Sequence, residues 1–285
     1  MAECSEQKSN NGLDAEELKD AKRRSAPKAA IVYEAIRREG EEELARNTTA
    51  LVWSGLAAGM SMGFSSLMEA LLSLHIPEKT SQVLLSKFGY CIGFIIVILG
   101  RQQLFTENTL TPILQLLRRK DRHTILNVSR LWITVLCANL AGSALFALLL
   151  HAMDYFRPDL HPELTRIGMH VYASPFAASL LSAVFAGWLI ALMMWLLPFA
   201  ETGRVAIIIL ITYVIGLGGF AHIIAGSVNA FYVLMAGESS FPAFLSRFFV
   251  PALMGNIIGG VTFVAALNHA QVESDQASAS PRSQA

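Results

Sequence analysis

The sequence predicts an all-α integral membrane protein with six transmembrane helices, two of them broken, arranged as two three-helix repeats of opposite orientation. Three observations carry that prediction: where the charges lie, how long the apolar blocks are, and where those blocks are interrupted. The chain has 285 residues, 53% hydrophobic and 15% charged, with 22 basic and 22 acidic side chains. Residues 1–48 hold 9 of the basic and 11 of the acidic ones, which leaves 24 charges for the other 237 residues. A water-facing surface needs roughly a quarter charged residues, so the body of the molecule faces something other than water.

In order along the chain, residues 1–26 are polar, with one short amphipathic stretch from Leu13 to Lys22, and read as a mobile cytoplasmic tail. Pro27 then opens an amphipathic segment, 27–48. Ile31, Val32, Ala35, Ile36 and Leu44 share most of one face, and Glu34, Arg37, Arg38 and Glu41 to Glu43 lie elsewhere. Such a helix suits a membrane surface, a partner subunit or plain solvent. The membrane body, 49–268, contains six apolar blocks, about 50–74, 83–104, 126–151, 175–199, 205–236 and 247–268. Each is long enough, at a rise of about 1.5 Å per residue, to cross about 30 Å of hydrocarbon. Residues 269–285 read as a second disordered cytoplasmic tail.

The loops set the orientation. Arg118, Arg119, Lys120, Arg122 and Arg130 face only Asp121 between the second and third blocks, whereas Arg157 and Arg166 stand among Asp154, Asp159 and Glu163 in the next loop. The basic loop belongs in the cytoplasm, and both termini with it.

Two blocks are interrupted. The second gives way after Leu104 to Phe105-Thr106-Glu107-Asn108-Thr109-Leu110-Thr111-Pro112, and the fifth breaks at Gly216-Leu217-Gly218-Gly219-Phe220-Ala221-His222. Backbone freed from a helix inside a bilayer must bond to protein or to cavity water, so broken helices mark a path for polar solutes. The breaks at Phe105 and Phe220 are matched by a repeated Asn-x-x-Gly-x-x-x-Phe, at Asn139 to Phe146 and at Asn256 to Phe263. Near-equal offsets indicate two copies, and three crossings per copy force them into opposite orientations.

Few side chains in the spans can do chemistry. His222 lies on the glycine-rich break, where its ring must face a cavity or a partner; it offers a small anion a hydrogen bond or a proton. A purely structural bond to broken-helix carbonyls is its other reading. Phe105 and Thr106 pair a water-excluding ring with a hydroxyl, as a narrow gate requires. Asn139 reads as a helix-joining amide, and Asn256 serves equally well as joiner or as pore lining. Arg101 pairs with Glu107 or reaches the interface, and Glu69 and Lys87 belong near the outer surface.

Other classes are poorly supported. No basic stripe serves a nucleic acid. Cys4, Cys91 and Cys137 are too few and too scattered for a disulfide framework or a metal pair, and no cofactor is expected. Gly-x-Ser-x-Gly, His-Glu-x-x-His, Gly-x-x-x-x-Gly-Lys-Ser/Thr and Gly-x-Gly-x-x-Gly are all absent, so no enzyme is expected; an intramembrane hydrolase would need Ser61 or Ser227 beside His222.

Six spans, two breaks, Leu104-Phe105-Thr106, Gly219-Phe220-Ala221-His222-Ile223-Ile224-Ala225 and Gly255-Asn256-Ile257-Ile258-Gly259-Gly260 together resemble the formate/nitrite transporter family over about residues 25–268. The resemblance implies a homopentamer of aquaporin-like protomers in a bacterial plasma membrane, each protomer passing small monovalent anions or their weak acids, such as formate, nitrite or hydrosulfide. It places Phe105 in the cytoplasmic constriction, Thr106 on the mobile loop, His222 at the centre with Phe220 beside it, Asn256 as its polar neighbour and Ile215 at the outer constriction. It also implies a lysine ahead of the fourth span, where this chain offers only Arg166 and His170, and polar groups where it has Ala221 and Gly226. Two other readings remain. One is an aquaporin-like pore for neutral solutes, although Asn108-Thr109-Leu110 and Asn229-Ala230-Phe231 do not match paired Asn-Pro-Ala motifs. The other is a non-transporting membrane scaffold that recruits a partner through its charged N-terminal segment.

Overall fold

The computed structural model describes residues 28–77 and 79–266, and besides these residues 16, 17, 19, 270, 271 and 274. Most of the two expected tails, and of the stretch from Leu13 to Lys22, falls outside the described residues.

The described part of the body is helix interrupted by turns and two longer breaks, with no strand among the described residues. Helix α1 (Ala29–Ala45) is amphipathic, and its inward face, Val32, Ile36 and Gly40, is buried. That face is taken up by the same chain: α1 lies on the short helix α4 (Thr111–Arg119), where Gln115 Nε2 donates to the Arg37 carbonyl at 2.8 Å. A Cβ on Gly40 would lie 2.2 Å from the Thr111 carbonyl oxygen, so only glycine permits this approach.

Helices α2 (Thr48–His75), α3 (Lys79–Leu99) and α5 (Arg122–Met153) form, with α4, the first three-helix unit. Asn47 and Asp121 cap α2 and α5 by accepting from Ala50 N and Thr124 N, at 2.7 and 2.9 Å. Helices α7 (Phe176–Leu196), α8 (Arg204–Leu217), α9 (Ile223–Met235) and α10 (Phe241–Thr262) form the second. The motif glycines bring helices together in both. A Cβ on Gly142 would lie 2.3 Å from the Leu56 oxygen of α2, and one on Gly259 would lie 2.1 Å from the Val184 oxygen of α7. Small residues let membrane helices touch backbone to backbone, where dispersion replaces the hydrophobic effect that lipid cannot supply.

Five helical segments are long and apolar enough to cross a bilayer: Thr48–His75, Ser81–Leu99, Arg122–Met153, Phe176–Phe199 and Phe241–Thr262. The expected fifth block is instead the pair α8 and α9, each too short alone. Leu126, Ile133 and Leu210 point outward with 63–66% exposure, as lipid-facing side chains do.

The boundaries differ from expectation in three places. Helix α3 stops at Leu99, five residues before Leu104, because Gly100 and the left-handed Arg101 turn the chain away. Helix α10 starts at Phe241 rather than 247, where the Ser240 hydroxyl accepts from Ala243 N and Pro242 occupies the first turn. A polar helix, α6 (His161–His170), fills the expected outer loop, opened by Pro162 in its first turn.

Candidate functional site

The two breaks are held by the same set of bonds, one in each unit. In the first, Asn139 Oδ1 on α5 accepts from Phe105 N at 2.9 Å, while its Nδ2 donates to the carbonyls of Gln103 and Gly55. In the second, Asn256 Oδ1 on α10 accepts from Ile223 N at 2.8 Å, while its Nδ2 donates to Ala221 and Ala183. A serine completes each set: Gln103 N donates to Ser54 Oγ at 3.0 Å, and Ala221 N to Ser182 Oγ at 3.1 Å. Both amides are fully buried and occupied at both ends by backbone. Each break thus receives from its neighbours the partners that lipid would deny it.

Both chains turn on a left-handed residue, Arg101 at φ 53° and Gly219 at φ 62°. Beyond the turns the breaks diverge. The second returns at once to helix, because the His222 side chain caps α9: its Nδ1 accepts from Ala225 N at 3.2 Å. Far along α9, the Tyr232 hydroxyl donates to Asp154 at 3.1 Å and fixes the other end. The first break runs on through residues 100–110 before α4 begins. It is steadied by Trp132 Nε1, which donates to the Asn108 carbonyl at 2.8 Å, and by Thr109 Oγ1, which donates to the Thr106 carbonyl at 2.7 Å.

The breaks meet through two side chains. Thr106 Oγ1 and His222 Nε2 are 2.8 Å apart, and both residues are buried. The backbone amide of Ala225 is a donor in all circumstances, so His222 Nδ1 faces it with a lone pair and the ring proton sits on Nε2. Nε2–H then donates to Thr106 Oγ1, which leaves the threonine's own hydroxyl hydrogen free to turn toward a solute. Phe94 of α3 stands edge-on to the imidazole, 5.0 Å between ring centres, and is fully buried.

Two cavities approach this contact from opposite ends. A basin of about 580 Å³ on the α1 side is walled by charged groups, among them Glu39, Glu43, Arg101, Glu107 and Arg204, and reaches Gln103 of the first break. A vestibule of about 320 Å³ on the α6 side reaches Ile215, Phe220, Ala221 and His222 of the second. Between the two, Phe105, Thr106 and Phe94 are closed off from solvent. In the basin, burial pushes the Glu43 carboxyl up to about 7, although the hydroxyl of Thr111 donates to it and Gln103 and Arg46 act the same way; Glu39 adds repulsion.

Of the residues singled out in the sequence, the structure brings Thr106 and His222 into contact and sets Ile215 and Phe220 on the vestibule wall. Phe220 stacks on Phe185 of α7. Phe105 is buried edge-on to Trp132, 5.9 Å between ring centres. Asn256 sits on the break backbone, with its amide committed there. Arg101 pairs with Glu39 of α1 at 3.0 Å, not with Glu107. Ser227 gives its hydroxyl to the Ile223 carbonyl of its own helix at 2.6 Å, so it is no nucleophile for His222.

Sequence reasoning missed four contributors. Ser54 and Ser182 open a repeated Ser-x-x-x-x-Gly, ending at Gly59 and Gly187, in the first and fourth apolar blocks; that repeat was the available signal. Phe94 carries no signal in an apolar helix. Lys87, expected near the outer surface with Glu69, pairs with it on the vestibule wall. The vestibule therefore does hold a lysine, supplied by α3 rather than by the segment ahead of α7.

Comparison with known proteins agrees with this architecture. The family model described as "Formate/nitrite transporter" matches residues 30–270. The inner membrane protein YfdC of Escherichia coli (strain K12) is 38% identical over 248 residues, covering 87% of this chain and 80% of the relative. The formate channel BtFdhC of Bacillus thuringiensis is 24% identical over 241 residues, 83% of this chain and 90% of the relative. Among solved structures, a pentameric formate channel with formate bound superposes with a TM-score of 0.67 at 21% identity, over 79% of this chain and 98% of that one. An FNT family ion channel gives 0.76 at 16% identity, over 85% and 99%.

Proposed function

Because the chain belongs to the formate/nitrite transporter family, we propose that it is a channel for small monovalent anions or their weak acids, of the formate, nitrite and hydrosulfide class. The observation that carries this reading is the contact between Thr106 Oγ1 and His222 Nε2, which joins the two breaks at the inner end of the vestibule, three residues along the chain from Gln103 on the basin wall. A solute leaving either cavity meets apolar rings, Phe105 and Phe94, and one polar pair.

In this reading the rings exclude hydrated ions, and desolvation favours the solute as its neutral acid. His222 and Thr106 supply the hydrogen bonds that replace its water, while the solute takes up its proton from solvent before it enters the apolar stretch. Protonating His222 at Nδ1 would break the cap on α9, so the arrangement supports a neutral ring acting through Nε2–H. Lys87 and Arg166 serve the vestibule as the cations that first meet the solute.

By extension from the pentameric relative, the working unit is a homopentamer in the plasma membrane of a bacterium, with one pore per protomer and both termini in the cytoplasm, so that the basin is its cytoplasmic mouth. The test is a flux panel in proteoliposomes with formate, nitrite, acetate, chloride and hydrosulfide, at an acid and at a neutral pH. The expected result is pH-dependent flux of the weak acids that falls at least about tenfold in His222→Ala. Flux that the substitution leaves unchanged would remove the mechanism.

A further inference from the structure

The vestibule that ends at His222 has two fixed cations in its wall, Lys87 and Arg166, and each is matched by a carboxylate. Arg166 lies 2.7 and 3.0 Å from Glu163 Oε2 and 3.3 Å from Ser73 Oγ. That pair spans one turn of α6, with 57% of the arginine side chain and 22% of the glutamate exposed, so water reaches both partners. Lys87 pairs with Glu69 across the α2–α3 contact, and here the carboxylate is buried, with 4% of its side chain exposed against 23% for the lysine. A buried carboxylate is an unexpected group in the wall of an anion pathway. It repels the solute, and its own desolvation is unfavourable unless the pair does something else.

Resting on the reading of this cavity as the entrance for small anions or weak acids, we propose that Glu69 is a specificity-determining residue. By matching Lys87 it leaves the vestibule with no net fixed charge, so the lysine offers hydrogen bonds to an arriving solute without concentrating anions from the bulk. Fixed charges lining a narrow entrance select the sign of what passes, and a matched pair withdraws that selection. The neighbouring polar groups do not replace it: Ser86, Ser179 and Ser182 are neutral, and Arg166 is answered by Glu163.

Glu69→Gln is the informative variant. Its amide oxygen still accepts from Lys87, so the α2–α3 contact survives while the negative charge goes. In proteoliposomes of the full chain at neutral pH and low salt, formate flux should rise about fivefold, as an unmatched unit charge a few ångströms from the path implies, while flux of formamide, its uncharged analogue, stays the same. High salt should erase the rise. Glu69→Gln combined with Lys87→Met, again without net charge, should show neither the rise nor its salt dependence, whereas a purely structural pair would give no salt-dependent gap between formate and formamide in either variant. Formate flux unchanged or lowered in Glu69→Gln, or a double variant that keeps the salt-dependent rise, overturns the proposal while leaving the channel reading intact. A wild-type protein that carries no formate overturns both.

Discussion

The two broken helices are clamped alike and finished differently. In each, a serine and an asparagine hold the backbone where it leaves the helix, and a left-handed residue makes the turn. The second break is five residues long and ends in a side-chain cap; the first is eleven and ends without one. The second has glycine at its left-handed position and the first has arginine. The longer break also leans on α1, through Arg101 with Glu39 and Thr111 with Glu43, while the shorter one meets the first unit through His222, against Thr106 and Phe94. A common clamp therefore carries one short, capped element, which places the imidazole, and one longer, uncapped element, which places the hydroxyl.

The clamps themselves are the first thing to break. Asn256→Ala and Asn139→Ala each strip the asparagine partner from one buried N–H and one buried carbonyl of the break, Ile223 N with Ala221 O or Phe105 N with Gln103 O, at about 1–3 kcal/mol for each group. Both variants should lose several kcal/mol of thermal stability in detergent, by similar amounts. A large loss at one position and none at the other would end the equivalence.

Next in size is the cap. His222→Ala should lower stability by about 1 kcal/mol as well as reduce flux, because α9 loses its side-chain acceptor. His222→Asn restores an acceptor for the α9 amides but removes Nε2–H, so it should recover the stability and not the flux. Recovery of both would show that the ring acts only as a cap.

The left-handed positions give a smaller effect of opposite sign. Arg101→Gly should stabilise the protein by up to about 1 kcal/mol, since its φ of 53° suits glycine and the lost ion pair with Glu39 is largely exposed. Gly219→Ala should destabilise it by a similar amount. Equal responses at the two sites would mean that the first break relaxes around whatever residue it is given.

The smallest effect is expected at Glu43. Its folded value of about 7 lies above the ordinary carboxylate range, so it favours the folded contact fully below about 4.5, and that contribution is lost as pH rises through 7. Hydrogen-exchange protection factors in α1, which divide out the base-catalysed intrinsic rate, should accordingly fall between mildly acid and mildly basic pH. Glu43→Gln should make the protection pH-independent, and wild-type protection that does not change with pH would contradict the burial of that carboxyl.

How much of this was legible in the sequence follows from distance along the chain. Local and repeated signals came through: the glycine-rich run at Gly216 to His222, the polar run after Leu104, and the twin Asn-x-x-Gly motifs. Contacts between helices did not, because nothing in an apolar helix says which neighbour a residue meets. Glu69 and Lys87 stood out as charges, but their pairing and their place on the vestibule depend on how α2 packs on α3. Phe94 looked like any other buried ring until His222 was found beside it. The polar helix α6 went unseen because a short helix opened by proline resembles a loop in composition.

The clamps also bear on the order in which the protein is made. The groups that satisfy the first break, Ser54, Asn139 and Trp132, all lie in the first half of the chain, and those of the second, Ser182 and Asn256, lie in the second half. A growing polypeptide can therefore enter the bilayer with its first interruption already satisfied once α5 has emerged, long before His222 has been translated. The bond between Thr106 and His222 waits for the second half to arrive. The clamp of the first break is thus complete in the first half of the chain, and the conduit is complete only when the second half packs against it.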